Sequence, residues 1–107
     1  MSVKNNNPEL AKLGIEALKL VDDPEIGLNV VDLGLIYELA FNEEEKKVLC
    51  TMTLTTEFCP MGESIVASVT EALRVSIHGY VPEVQLTFEP HWNHAMITVA
   101  GNEFLGG

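Results

Sequence analysis

Cys59 has the greatest chemical reach of any residue in this sequence. It stands just before Pro60, where the pattern that follows predicts the start of a helix. A helix start presents unpaired backbone N–H groups and the positive end of the helix dipole. Both stabilise a thiolate, the form of cysteine that attacks electrophiles or binds metal. Glu57 and Glu63 oppose that effect with their own negative charge. Thr55 and Thr56 place two hydroxyls just upstream, suited either to orienting a bound group or to capping the helix. Asp23, Glu25 and Asp32 gather acids around a loop marked by Pro24 and Gly27. They read either as solvated charges or as functional acids.

The second cysteine differs. Cys50 shares an alternating face with Val48, Met52 and Leu54 and reads as a small apolar core residue. If its strand runs to Thr55, about 17 Å separates Cys50 from the strand end. A disulfide needs Cα atoms within about 7 Å, so no bridge to Cys59 is expected. His91-Trp92-Asn93-His94, with Glu89 nearby, offers imidazoles. The spacing is not a zinc frame and no second ligand pair follows. It reads as a surface loop anchored on the core by Trp92. No Gly-rich phosphate loop, nucleophile elbow or His-Glu-x-x-His helix occurs, so the expectation is not an enzyme.

These residues need elements to position them. Residues 1–7 read as a polar, mobile start. Asn7-Pro8-Glu9 is a helix-start signal, and Leu10, Leu13, Ala17, Leu18 and Val21 recur at helical spacing. The predicted helix runs from Pro8 to Val21 and ends before Pro24. Leu35, Tyr37, Leu39 and Phe41 alternate with Ile36, Glu38 and Ala40, giving a strand. Residues 42–46 form a polar hairpin tip, and a second strand follows from Val48 towards Thr55. A second helix runs from Pro60 to Ser76 or Ile77, closed by His78-Gly79. Val84, Leu86 and Phe88 alternate as a third strand. The tail supports two readings: a strand through Ala95, Ile97 and Val99, or a short helix over Val99–Leu105 capped by Thr98 and stopped by Gly106. The order helix-strand-strand-helix-strand predicts an α+β fold, a two-layer sandwich.

Charge and length bound the function. The chain has 107 residues, with 6 Lys and Arg against 16 Asp and Glu, for a net charge of −10. That length predicts one domain over 1–107. The charge excludes a phosphate-tracking nucleic-acid binder and an anionic membrane surface as partners. No apolar run approaches the roughly 20 residues of a membrane span. The polar start lacks the apolar core of a signal peptide, so a cytoplasmic location is expected. Two cysteines are too few for a disulfide scaffold.

Three stretches together resemble a known family. Asp23-Pro24-Glu25-Ile26-Gly27-Leu28-Asn29-Val30-Val31-Asp32-Leu33-Gly34-Leu35-Ile36-Tyr37 is similar to the opening signature of the SufT/PaaD-like family of small iron–sulfur (metal–sulfur) cluster assembly proteins. Met52-Thr53-Leu54-Thr55-Thr56-Glu57-Phe58-Cys59-Pro60-Met61 resembles its second signature, and Val84 to Trp92 its third. The resemblance covers nearly all of the chain after the first helix, in the right order. It implies the α+β fold of iron–sulfur assembly domains and a role in delivering or maturing clusters on client proteins. It implies iron–sulfur assembly proteins and apo-clients as partners. It makes Cys59 the functional thiol, surrounded by Asp23, Glu25, Asp32, Thr55 and Thr56, and it favours the short helix for the tail. Glu57-Phe58 departs from the family pattern, which often has Pro and a small or apolar residue there. His91 stands where the family usually has a Pro before Trp92, and His94-Ala95 replaces an acidic position.

Iron–sulfur clusters usually take four thiolates. One working cysteine per chain therefore implies transient binding, with a homodimer, small thiols or a partner completing the shell. A metal-free adaptor linking scaffold and client is the alternative. A thiol enzyme is a third reading, and it needs His78, His91 or His94 as a base beside Cys59.

Overall fold

A computed structural model describes residues 3–58 and 60–106. Helix α1 spans Pro8–Leu18. Asn7 caps it, accepting the Leu10 N–H at 3.2 Å, and Pro8 takes the first turn, where no N–H is needed. The helix stops three residues short of Val21. A small antiparallel bridge claims the backbone there instead: Val30 N donates to Val21 O, and Asp23 N to Leu28 O, both at 2.9 Å.

The polar start contributes to the sheet. Lys4–Asn5 forms β1, parallel to β2 (Ile36–Asn42). The Asn6 side chain pairs with both backbone groups of Phe41, at 3.0 and 2.8 Å.

β2 and β3 (Lys47–Met52) make the expected hairpin, whose tip is held by Glu45 N donating to the Asn42 side chain at 3.0 Å. Strict alternation fails at one point. A bulge sets Tyr37 and Glu38 opposite Thr51, so Ile36 joins Leu39 in the core and Tyr37 is released from it. β3 ends at Met52 rather than running on to Thr55, because Thr53 N turns to Leu35 O at 2.9 Å.

Helix α2 spans Gly62–Ser76. Pro60 is not its first residue. Met61 occupies the cap position, and Gly62 is fixed by packing: a Cβ there would meet Leu54 Cδ1 at 3.0 Å. β4 spans Val81–Leu86 and pairs parallel to β3, from Lys47 opposite Val81 to Met52 opposite Leu86. It starts before Val84 and ends before Phe88, since the parallel register follows β3. A 3₁₀ turn (His94–Met96) precedes α3 (Val99–Phe104). Thr98 caps α3, accepting Gly101 N at 3.0 Å, and Gly106 ends the turn at φ 81°. The helical reading of the tail holds.

The four-stranded sheet has the order β1-β2-β3-β4. One face is covered by α1 and α2. Leu39, Val48, Cys50 and Met52 pack with Leu18, Ile65, Val69 and Leu73, all buried. On the opposite face Ala40, Leu49 and Thr51 are half-buried, while Glu83 and Gln85 are exposed. The result is the expected two-layer α+β sandwich. Among the described residues no helix is long and apolar enough to cross a membrane.

Candidate functional site

Two loops and the C-terminal segment converge where β2 begins and β3 ends. The first loop carries the acids. Asp23 is 1% exposed. Its Oδ1 accepts Glu25 N at 2.9 Å, and its carbonyl accepts Gly27 N at 2.7 Å, with Gly27 at φ 85°. This is a side-chain-closed turn, the arrangement short acidic side chains favour. It brings Asp23 and Glu25 into one turn, with Glu25 exposed. Asp32 holds two regions together. Its Oδ2 accepts Asn29 Nδ2 at 2.7 Å, and its Oδ1 accepts the Thr98 hydroxyl at 2.8 Å. Its carbonyl accepts Thr98 N at 2.8 Å. The same carboxylate therefore fixes the acid loop and the cap of α3. Gly34 is the tightest point: at φ 80°, a Cβ would lie 2.3 Å from Met96 O. Trp92 Nε1 donates to Leu33 O at 2.6 Å, which is the core anchor expected of it.

The second loop runs from Thr53 to Met61. Thr53 is buried, Thr55 half-buried and Thr56 exposed. Thr56 Oγ1 accepts Phe58 N at 3.3 Å, a local turn contact. Phe58 is 88% exposed. Cys59 lies outside the described residues, as does the expectation that its thiol sits on a helix start. α2 itself begins at Gly62, with Pro60 in the turn before it.

Sequence reasoning missed two partnerships here. Glu57 Oε1 lies 3.1 Å from His91 Nε2, tying this loop to the C-terminal segment. Tyr37, freed by the bulge, donates its hydroxyl to Pro90 O at 2.8 Å, with Met96 Sδ 3.7 Å away. Burial raises the Tyr37 pKa, opposed by its contact with Thr53. Two of the positions that depart from the family pattern, Glu57 and His91, turn out to be partners. That shared departure was the available signal.

Cys50 is fully buried, and burial pushes its thiol pKa up to about 12. It stays a neutral core thiol. The two loop histidines are not paired with each other: His91 meets Glu57, and His94 lies against Trp92 with ring centroids 5.0 Å apart. Among the described residues no group of three or more His, Cys, Asp or Glu is arranged to hold a metal ion.

Comparison with known proteins adds four likenesses. A family model described as iron–sulfur cluster assembly protein matches residues 15–86. A Porphyromonas gingivalis protein named Fe-S protein maturation auxiliary factor is 40% identical over 85 residues, covering 78% of this chain and 79% of that one. The Staphylococcus aureus Fe-S protein maturation auxiliary factor SufT is 36% identical over 81 residues, covering 74% and 89%. Among solved structures, a DUF59 domain from Bacillus anthracis superposes with a TM-score of 0.82 at 32% identity, covering 90% of each chain.

Proposed function

The chain belongs to the iron–sulfur cluster assembly protein family, and on that premise we propose how it serves iron–sulfur protein maturation: Cys59 takes a cluster transiently and passes it to an apo-client. The cluster is cargo, held for the length of a handoff. The observation that carries this reading is the state of the other thiol. Cys50 is closed inside the core, and that burial pushes its thiol pKa up to about 12, away from the thiolate a metal needs. Cys59 is then the thiol left for the work.

One thiolate does not complete a cluster shell. The remaining ligands come from a second copy across a two-fold axis, from small thiols, or from the assembly protein and client themselves. Asp23 and Asp32 hold the frame around the loop through their hydrogen bonds, with Glu25 on the surface of the same turn. Thr55 and Thr56 stand on the cysteine loop to orient the bound group. The whole chain acts as one cytoplasmic domain and as a carrier, with no catalytic turnover of its own. The −10 charge selects partners with basic or neutral patches and makes association weaken with salt.

Anaerobic reconstitution with iron and sulfide tests the ligand directly. The wild-type chain takes up both, and Cys59→Ser loses at least tenfold. Equal uptake by the two, or none by the wild type, would remove direct ligation. The chain would then be a metal-free adaptor, in which Cys59→Ala leaves client maturation intact.

A further inference from the structure

The sheet ends on an open strand. β4 is an edge, bonded to β3 on one side only. Val81 N donates to Lys46 O at 2.8 Å and Thr87 N to Met52 O at 2.9 Å. In a parallel ladder alternate residues share this direction, so the residues between point their backbone groups away from the sheet. Those are Pro82, Val84 and Leu86. Val84 and Leu86 offer outward N–H groups, and all three offer outward carbonyls. Among the described residues no backbone group meets them. Pro82 has no N–H, which blunts the Val81 end of the edge. The usable donors sit at the Leu86 end.

That end borders an apolar groove. Gly62, Glu63, Val66 and Ala67 of α2 line it with Leu86, which is 43% exposed. On the opposite face of β4, Glu83 is exposed, and no ion pair among the described residues engages it. A strand laid along this edge would set one row of side chains in the groove and the other beside Glu83. Lys46 and Lys47 lie at the far, blunted end.

We propose that the Pro82–Leu86 edge and its α2 groove dock an extended segment of a partner protein, with apolar residues alternating with basic ones. The apolar row fills the groove and the basic row meets Glu83. Main-chain hydrogen bonds to Val84 and Leu86 supply much of the affinity. The groove begins at Gly62, three positions after Cys59 in sequence, so a docked segment is delivered to the loop that holds the working thiol. This assigns a client-docking strip and so rests on the cluster-transfer reading above.

The test uses the metal-free chain and a blocked hexapeptide of alternating lysine and valine, followed by amide chemical shifts and hydrogen exchange. The peptide should slow exchange at Val84 and Leu86 and shift their amides. Two isomers of the peptide, each N-methylated on one of its alternating sets of residues, separate strand pairing from general adhesion. One should bind at least tenfold more weakly and the other within threefold of the parent. Glu83→Lys should weaken binding severalfold, and Cys59→Ser should leave it unchanged. Equal binding by both isomers would overturn the proposal. So would shifts confined to a second groove, lined by Ala17 and Leu20 from the α1 side and by Ala72 and Val75 of α2, or protection of Val84 by self-association without peptide. Because no iron or sulfide is present, such a failure leaves cluster uptake at Cys59 untouched, and loss of uptake leaves peptide docking untouched.

Discussion

The acid loop and the cysteine loop lie at the same end of the sheet and are built on opposite principles. In the first, Asp23 is buried and its carboxylate closes its own turn, while Asp32 receives Asn29 on one oxygen and Thr98 on the other. In the second, Thr56, Glu57, Phe58 and Pro60 are all exposed, and among the described residues the Thr56 hydroxyl meets a local turn N–H, that of Phe58. Acids whose carboxylates close turns and tie segments together are architecture, whereas exposed side chains on a loop are open to a partner. Residue types that look equally functional in the sequence thus divide by where their hydrogen bonds go.

The strongest way to break the acid loop is Gly34→Ala. A Cβ would sit 2.3 Å from Met96 O, on a backbone at φ 80°. Urea unfolding should show a loss of roughly 3 kcal/mol or more. Unchanged stability would mean that the loop and the 3₁₀ turn are not locked together. Next comes Asp32→Ala, which strips partners from Asn29 and Thr98. A loss of about 2–3 kcal/mol is expected, with Thr98→Ala alone near 1 kcal/mol. The double variant should fall short of the sum, since the two share a hydrogen bond. Full additivity would deny that Asp32 acts through the α3 cap.

A third measurement separates the two cysteines by pH. Unfolded, the Cys50 thiol ionises near 9.0, but in the folded chain its pKa stands at about 12. Between those values the folded state keeps a proton that the unfolded state has lost. Its contribution is complete below about pH 9 and falls away above it, by up to about 1.4 kcal/mol per pH unit. Cys50→Ala should show a correspondingly flatter decline between pH 9 and 11, and parallel curves would contradict the assignment of Cys50 to the dry core. The smallest stability effects belong to the cysteine loop. His91→Ala and Phe58→Ala should each change stability by less than about 0.5 kcal/mol, because the Glu57–His91 pair is largely exposed and Phe58 stands 88% exposed. A large loss from either would make this loop structural too.

What was legible in the sequence follows the reach of each signal. The Asn7-Pro8 helix start, the hairpin tip after Asn42, and the Thr98 cap with its Gly106 stop are written within a few neighbouring residues, and the structure has all three. The bulge at Tyr37 and Glu38 was not legible. It depends on which residue of β2 the core accepts opposite Met52 and Cys50. β1 is two residues long and leaves no period to detect. Pro60 is a sound helix-start signal, yet it lies in the turn before α2, which begins two residues later at Gly62. At the site, the acids and threonines were visible as types, but the links between Asp32 and Thr98 and between Glu57 and His91 span 66 and 34 positions. No local pattern carries such links.

The contrast between frame and working loop meets its most direct test in cluster transfer. The anaerobically reconstituted chain is mixed with an apo-ferredoxin, whose own four cysteines can accept a cluster, and the holo-ferredoxin is followed by visible circular dichroism. Asp32→Asn should transfer as the wild type does per folded molecule, while Cys59→Ser should transfer at least tenfold less. Transfer by Cys59→Ser at the wild-type rate, or its loss in a fully folded Asp32→Asn, would contradict the division of labour between the two loops.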